Sequence, residues 1–213
     1  MEKVFEQFRN IGVVPVIAIE DASKASLLAS ALVKGGIHIA EITFRTACAE
    51  EAIREMIKAE PHMLVGAGTV LNVEQTERAV KAGAKFIVSP GYNPDVVDWC
   101  IANNVPTVPG VSNASEITAC VNKGLSVLKL FPAERLGGCK IVDDFGGPFP
   151  HVSFLPTGGV NLENLIDYAK RKNVLCVGGT WMVKKNLIED NKWDEISQLC
   201  SEAVKVIHDI RRS

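Results

Sequence analysis

Eight short runs dense in Val, Ile and Leu recur along the chain: 13–19 (VVPVIAI), 39–44 (IAEITF), 64–69 (LVGAGT), 85–90 (KFIVSP), 106–111 (PTVPGV), 126–131 (SVLKLF), 153–159 (SFLPTGG) and 174–179 (VLCVGG). Runs that stay apolar without strict alternation fit strands covered on both faces, as in a parallel sheet. The stretches between them are patterned as helices. Ala25, Leu28, Ala29 and Leu32 form an apolar stripe at helical spacing in the first connection. Asn72 with Gln75, and Asn113 with Glu116, have the spacing of a capping box, and Asn93-Pro94 fits an N-cap followed by a first helical residue. Gly35-Gly36 and Gly83 stand where two of these helices should end.

Strand–helix alternation with short connections implies right-handed parallel crossovers. Eight units in 213 residues come to about 27 residues each, the size of a compact (β/α)8 barrel. An open doubly wound sheet is the main rival, but its G-x-G-x-x-G fingerprint is missing; the nearest cluster is GAGT at 66–69. No linker rich in Pro, Ser or charge divides the sequence. The expectation is an α/β protein built as a single (β/α)8 TIM barrel, one domain over residues 1–213. An N-terminal helix carrying Phe5 and Phe8 should close the barrel floor.

Composition narrows the partners. With 47% apolar, 23% charged and 6% aromatic residues, the chain is neither disordered, collagen-like nor a disulfide framework. Lys plus Arg number 23 against 25 Asp plus Glu, so no basic surplus exists to follow a nucleic-acid backbone. No run approaches the roughly 18 apolar residues of a membrane helix, and the start, MEKVFEQFRN, has no signal-peptide core. The six cysteines include no Cys-x-x-Cys pair and the four histidines are dispersed, so no metal site is nominated. The chain reads as a cytoplasmic protein acting on a small molecule, with neither nucleic acid nor membrane as partner and no metal or cofactor.

In this barrel class the reacting groups sit at the carboxyl ends of the strands. Lys129 lies inside VLKLFP, and period-2 alternation puts Val127, Lys129 and Phe131 on one face. Burial in such a setting disfavours an ammonium ion, and a neutral amine attacks ketones to form a Schiff base. The alternative is a lysine that snorkels to solvent or pairs with a carboxylate. Glu41, Thr43 and Arg45 of EITFRT share a face if the second strand runs that far. A carboxylate there would shuttle protons, and the Arg45 fork suits a carboxylate ligand; a plain Glu41–Arg45 ion pair is the competing reading. Thr69 ends GAGT, whose glycines would admit a ligand closely and whose hydroxyl would donate to it. Thr157-Gly158-Gly159 and Gly178-Gly179-Thr180 end the seventh and eighth runs, the phosphate position of this barrel class. Ordinary turn glycines would explain either pair alone.

The motifs EITFRT, GAGTV, SPG, LKLFPAE, GPFP, PTGGV and VGGTW, in this order, make the chain resemble the 2-keto-3-deoxy-6-phosphogluconate and 4-hydroxy-2-oxoglutarate aldolases over nearly its whole length. The resemblance implies a metal-independent class I aldolase acting on a 2-keto acid, typically a homotrimer. It implies Lys129 as Schiff-base lysine and Glu41 as general acid/base. It further implies Arg45 and Thr69 as pyruvate-carboxylate contacts and a phosphate site at Gly158, Gly159, Gly179 and Thr180, with Thr157 as a further substrate-binding residue. Two positions depart from relatives: Thr180, often serine, and Glu20-Asp21, where some carry a basic residue and where two acids near the mouth would weaken phosphate binding. An oxaloacetate decarboxylase would use the same lysine. A phosphate-binding barrel isomerase would need only the glycine pairs, and a silent binding module neither Lys129 nor Glu41.

Overall fold

The computed structural model describes residues Glu2 to Arg212. In chain order the elements are α1 (Glu2–Ile11), β1 (Val13–Ile17), α2 (Ala25–Lys34), β2 (Ile39–Thr43), α3 (Ala49–Ala59), β3 (Leu64–Gly68), α4 (Val73–Ala82), β4 (Ile87–Val88), α5 (Pro94–Ala102), β5 (Thr107–Val108), β6 (Gly110–Val111), α6 (Ala114–Asn122), β7 (Val127–Leu130), α7 (Cys139–Gly146), β8 (Ser153–Pro156), α8 (Leu165–Ala169), β9 (Val177–Gly179), α9 (Lys185–Glu189) and α10 (Trp193–Arg212). Each of the eight apolar runs holds strand. The burial pattern fits the reading of runs covered on both faces: β1, β2, β3 and β7 are buried at every residue.

All pairings are parallel, but the ladders divide into two sheets rather than one ring of eight. Six strands pair in the order β5-β4-β3-β2-β1-β9, and three in the order β6-β7-β8. The division falls inside the fifth run, at Pro109. Proline has no N–H for a ladder, yet its carbonyl still accepts from Lys129 N at 2.9 Å. Between β8 and β9 the contact thins to isolated parallel bridges, Phe154–Val174 and Thr157–Gly178. The fold is therefore α/β with parallel strands covered by helices.

The helix starts follow the expected capping chemistry. Asn72 accepts from Gln75 N at 2.9 Å and Asn113 from Glu116 N at 3.0 Å. The returning arm of each box reaches one residue further back than the cap itself: Leu71 N donates to Gln75 and Ser112 N to Glu116. Asn93 caps α5 ahead of Pro94. Four cysteines (Cys100, Cys120, Cys176, Cys200) are buried and none of the six is in a disulfide. Among the described residues no helix is long and apolar enough to cross a membrane.

Helix α1 lies below the strands. Phe8 is fully buried and meets Phe86 edge-on at 4.9 Å and Phe5 at 6.0 Å. The Phe86 ring occupies the space that a side chain at Gly66 would take. Removing this plug leaves a cavity that the rigid strands cannot fill by collapse. Phe8→Ala should lower unfolding stability by about 3–5 kcal/mol, read from the shift of the urea-unfolding midpoint. A loss below about 1 kcal/mol would mean that α1 is not part of the core.

Candidate active site

At the carboxyl ends of the strands a cavity of about 320 Å³ is lined by Val16, Arg45, Thr69, Pro90, Lys129, Phe131, Thr157, Gly158, Gly159, Val160, Gly178 and Thr180. Lys129 at its floor is one half of a buried ion pair, whose other member, Glu41, does not itself line the cavity. Lys129 Nζ donates to Glu41 Oε1 at 3.2 Å, with the two side chains 5% and 0% exposed. Glu41 sits in register with Val16 on β1 and Gly66 on β3, and Lys129 with Gly110 on β6 and Leu155 on β8. The pair thus joins the central strands of the two sheets. Period-2 alternation also holds for Phe131, whose ring centroid lies 5.5 Å from Lys129 Nζ. The second carboxylate oxygen of Glu41 is buried and has no hydrogen-bond partner.

This geometry sorts the sequence readings. Lys129 does pair with a carboxylate, but at a cavity floor rather than in a solvated crossing. Glu41 pairs with Lys129, not with Arg45, so the expected alternative of a Glu41–Arg45 bridge does not form. Strand β2 stops at Thr43, whose hydroxyl donates to Ile17 O at 2.9 Å, and Arg45 reaches the cavity from the turn that follows. Arg45 is exposed.

The glycines of GAGT serve the protein rather than a ligand. Gly66 admits the Phe86 ring, and a Cβ at Gly68 would run into the Glu41 carboxylate. Thr69, next in sequence, has φ +55, a conformation that a β-branched residue adopts at a cost of about 1–3 kcal/mol. Such strain is found where side chains must be aimed, and Thr69 is aimed at the cavity.

At the other rim Thr157, Gly158, Gly159 and Thr180 line the cavity together, with Gly178 from the eighth run. Gly179 does not; its bare α-carbon faces the Trp181 ring. Nor does a long helix follow either pair. Gly158 and Gly159 turn through φ +96 and +85 into a loop, and Thr180 leads into a three-residue 3-10 turn at Trp181–Val183. This rim is therefore built from loop backbone rather than from the terminus of a long helix. Glu20 and Asp21 do not line the cavity: Glu20 lies 3.6 Å from Lys185, and Asp21 caps the turn at Ser23.

Two residues escaped the sequence reading. Glu134, within LKLFPAE, follows the lysine strand and accepts a short hydrogen bond from the Tyr168 hydroxyl of α8. Its backbone N–H donates to Gly158 O at 3.1 Å, and a Cβ at Gly159 would stand 2.6 Å from Glu134 Cβ. Glu134 therefore ties the loop after β7 to the one after β8. Its motif was visible, but nothing in the spacing connects it to Tyr168. The buried thiols offer no competing nucleophile, since burial pushes Cys100 up to about 11 and Cys120 and Cys200 up to about 12. Among the described residues no group of three or more His, Cys, Asp and Glu side chains is gathered to hold a metal.

A parallel α/β fold with a buried amine–carboxylate pair below a polar-rimmed cavity defines a class of carbonyl-handling enzyme. The chain belongs to the KDPG and KHG aldolase family, whose model matches residues 4–199. The 2-dehydro-3-deoxy-phosphogluconate aldolase of Haemophilus influenzae is 42% identical over 206 residues, covering 97% of each chain. A crystal structure of KDPG aldolase from Legionella pneumophila, with pyruvate captured as a covalent carbinolamine, superposes with TM-score 0.91 at 38% identity, over 93% of this chain and 97% of that one. The 2-keto-3-deoxy-6-phosphogluconate aldolase of Zymomonas mobilis with 3-phosphoglycerate gives 0.89 at 38% identity, covering 96% of each. The protein is accordingly a carbon–carbon lyase.

Gly68 tests the placement of Glu41 without changing the chemistry of its side chain. The methyl of Gly68→Ala should displace Glu41 from Lys129 and lower aldol cleavage by about 10²-fold, the cost of a misplacement near 1 Å. Far-UV circular dichroism should be unchanged. Full activity in this variant would show that the 3.2 Å contact is not needed for turnover.

Proposed function

We propose that this chain cleaves 2-keto-3-deoxy-6-phosphogluconate to pyruvate and glyceraldehyde 3-phosphate, and 4-hydroxy-2-oxoglutarate to pyruvate and glyoxylate, through a Schiff base on Lys129. The observation that carries the reading is the buried Lys129–Glu41 contact at the cavity floor. A phosphate-binding isomerase or a silent module has no use for it. The family membership and the carbinolamine of the Legionella enzyme point the same way.

Glu41, 3.2 Å from Nζ, takes the proton that leaves the ammonium ion neutral. The amine adds to C2 of the keto acid to give a carbinolamine, and Glu41 returns its proton to the C2 hydroxyl, which leaves as water as the iminium ion forms. Arg45 and Thr69 hold the adjacent carboxylate, fixing C2 over the amine. Glu41 then accepts the C4 hydroxyl proton as the C3–C4 bond breaks and its electron pair enters the iminium. The aldehyde departs, leaving an enamine. Protonation at C3 and hydrolysis release pyruvate and restore the free amine. Thr157, Gly158, Gly159, Gly179 and Thr180 form the phosphate site of the sugar acid; Thr180 does so through its hydroxyl, and Gly179 by leaving room for Trp181.

The reading extends to architecture and context. The two sheets act as the halves of one (β/α)8 barrel, interrupted at Pro109 and bridged at Thr157–Gly178, and residues 1–213 work as one domain. By family resemblance the working unit is a cytoplasmic homotrimer that takes a small 2-keto acid and neither nucleic acid nor membrane.

Borohydride reduction in the presence of pyruvate tests the chemistry. One pyruvyl adduct per chain should map to Lys129 and vanish in Lys129→Ala. Glu41→Gln should still be trapped, more slowly, while cleavage falls at least ~10²-fold, the scale for losing a positioned acid/base. An adduct on another lysine would overturn the assignment.

The phosphate site is tested with two substrates. A side chain at Gly159 would meet both a positive φ and Glu134, so Thr180→Ala is the cleaner probe. It should weaken binding of the phosphorylated sugar acid by about 1.5–3 kcal/mol, roughly tenfold to a hundredfold. KM for 4-hydroxy-2-oxoglutarate should stay unchanged. Equal losses on both substrates would move phosphate recognition elsewhere.

A further inference from the structure

A second cavity, of about 560 Å³, opens at the opposite end of the strands. Arg9 and Asn10 reach it from the end of α1, just before β1; Ala169 to Lys172 and Val174 from the segment that leads into β9; and His208, Ile210 and Arg211 from the last turns of α10. Six of its lining residues are basic (Arg9, Lys170, Arg171, Lys172, His208, Arg211), and no Asp or Glu lines it.

The charges are not equally free. Arg171 is neutralised by a two-point contact with Asp143, at 2.8 and 2.9 Å. Arg9, Lys170, Lys172 and Arg211 form no ion pair among the described residues. Arg211 is held in place by donating to two carbonyls, Arg9 O and, at 2.9 Å, Leu175 O. Those contacts orient its guanidinium without cancelling its charge. Burial, with the like charge of Arg9, holds Arg211 below its ordinary range. Four cations with no ion pair among the described residues share one concavity and repel each other, and this repulsion is relieved by a ligand carrying several negative charges on one small frame. His208, Ile210 and Arg211 lie beyond residue 199, where the family match ends.

We propose that this cavity binds a polyphosphate anion, either as the phosphate chain of a nucleoside triphosphate or as free inorganic polyphosphate. Its basic groups converge from three separate segments into a recess, which suits a compact anion better than the flat face of an acidic protein. Arg9 and Arg211 match phosphate oxygens through paired N–H groups, while Lys170 and Lys172 add mobile point charges. Ala169, Val174 and Ile210 give the recess an apolar side on which a nucleoside would rest.

Calorimetric titration with ATP, and in parallel with tripolyphosphate, tests the site on the full chain. ATP should bind saturably, one per chain, and more weakly as salt is raised. The double variant Lys170→Ala/Lys172→Ala and the single variant Arg9→Ala should each weaken binding at least tenfold. These side chains are exposed, so the variants should fold, with kcat/KM for aldol cleavage unchanged. Equal affinity for the two ligands would support the site and assign recognition to the phosphates alone; tighter ATP binding would support it and add the apolar side. Absence of saturable binding at millimolar ATP would overturn the proposal. So would binding that survives both variants, or that is lost in Thr180→Ala, which would put the anion in the upper cavity. Binding of poly-glutamate through these residues, with ATP failing, would replace it with a protein-docking surface. Because binding is read without turnover, failure here leaves the aldolase reading untouched.

Discussion

The contact between Lys129 and Glu41 is the constraint around which the rest of the site is arranged. Each group loses several kcal/mol of hydration on burial, and a single 3.2 Å contact returns only part of it. One carboxylate oxygen has no hydrogen-bond partner among the described residues. A pair of this kind adds little to stability, so its position must be fixed by everything around it. The two residues stand 88 apart in sequence, on β2 and β7, which belong to different sheets. Holding them together requires both sheets to keep a fixed relation, and the bridges between β8 and β9 and the covering helices supply it.

Space around the pair is made by omission. Gly68 leaves room for the Glu41 carboxylate, and Gly66, one repeat earlier on the same strand face, leaves room for Phe86. Phe86 in turn rests on Phe8 of α1. A continuous column of packing thus runs from the N-terminal helix to Glu41. Close packing makes that column stiff, which suits the proposed mechanism, where one carboxylate serves the amine and then the substrate hydroxyl. On the opposite rim the tie between Glu134 and Tyr168 does equivalent work for the glycine loop.

Much of this was legible in the sequence because strands and caps obey local rules. The eight apolar runs located the strands, and Asn72, Asn93 and Asn113 located three helix starts. Alternation around Lys129 also puts Phe131 on its face. What escaped depends on distant partners. Nothing local to GAGT reveals that its glycines yield to Phe86 and Glu41 rather than to a ligand. The end of β2 at Thr43, which takes Arg45 out of the alternation, follows from where the neighbouring strands stop. Pro109 was visible, but whether it bends a strand or splits a ladder depends on the carbonyl that Lys129 N uses. Gly179 shares its motif with Gly178 and Thr180, yet the Trp181 ring decides that only its neighbours face the cavity.

The two ends of the strands treat charge in opposite ways, and topology explains the division. At the carboxyl ends single groups come from many strands and the turns after them, so an amine, a guanidinium and three threonines meet around one cavity. At the amino ends the lining comes from helix ends, Arg9 on α1 and Arg211 on α10, where basic side chains offset the negative pole of the helix dipole. Cations there need no catalytic justification for their presence. What helix ends alone do not produce is convergence, because each helix terminus would normally disperse its charge into solvent. Arg211 reaching back to Arg9 O and Leu175 O draws three such segments into one recess. It is this convergence, not the number of basic residues, that turns ordinary dipole compensation into a surface able to select a multiply charged anion.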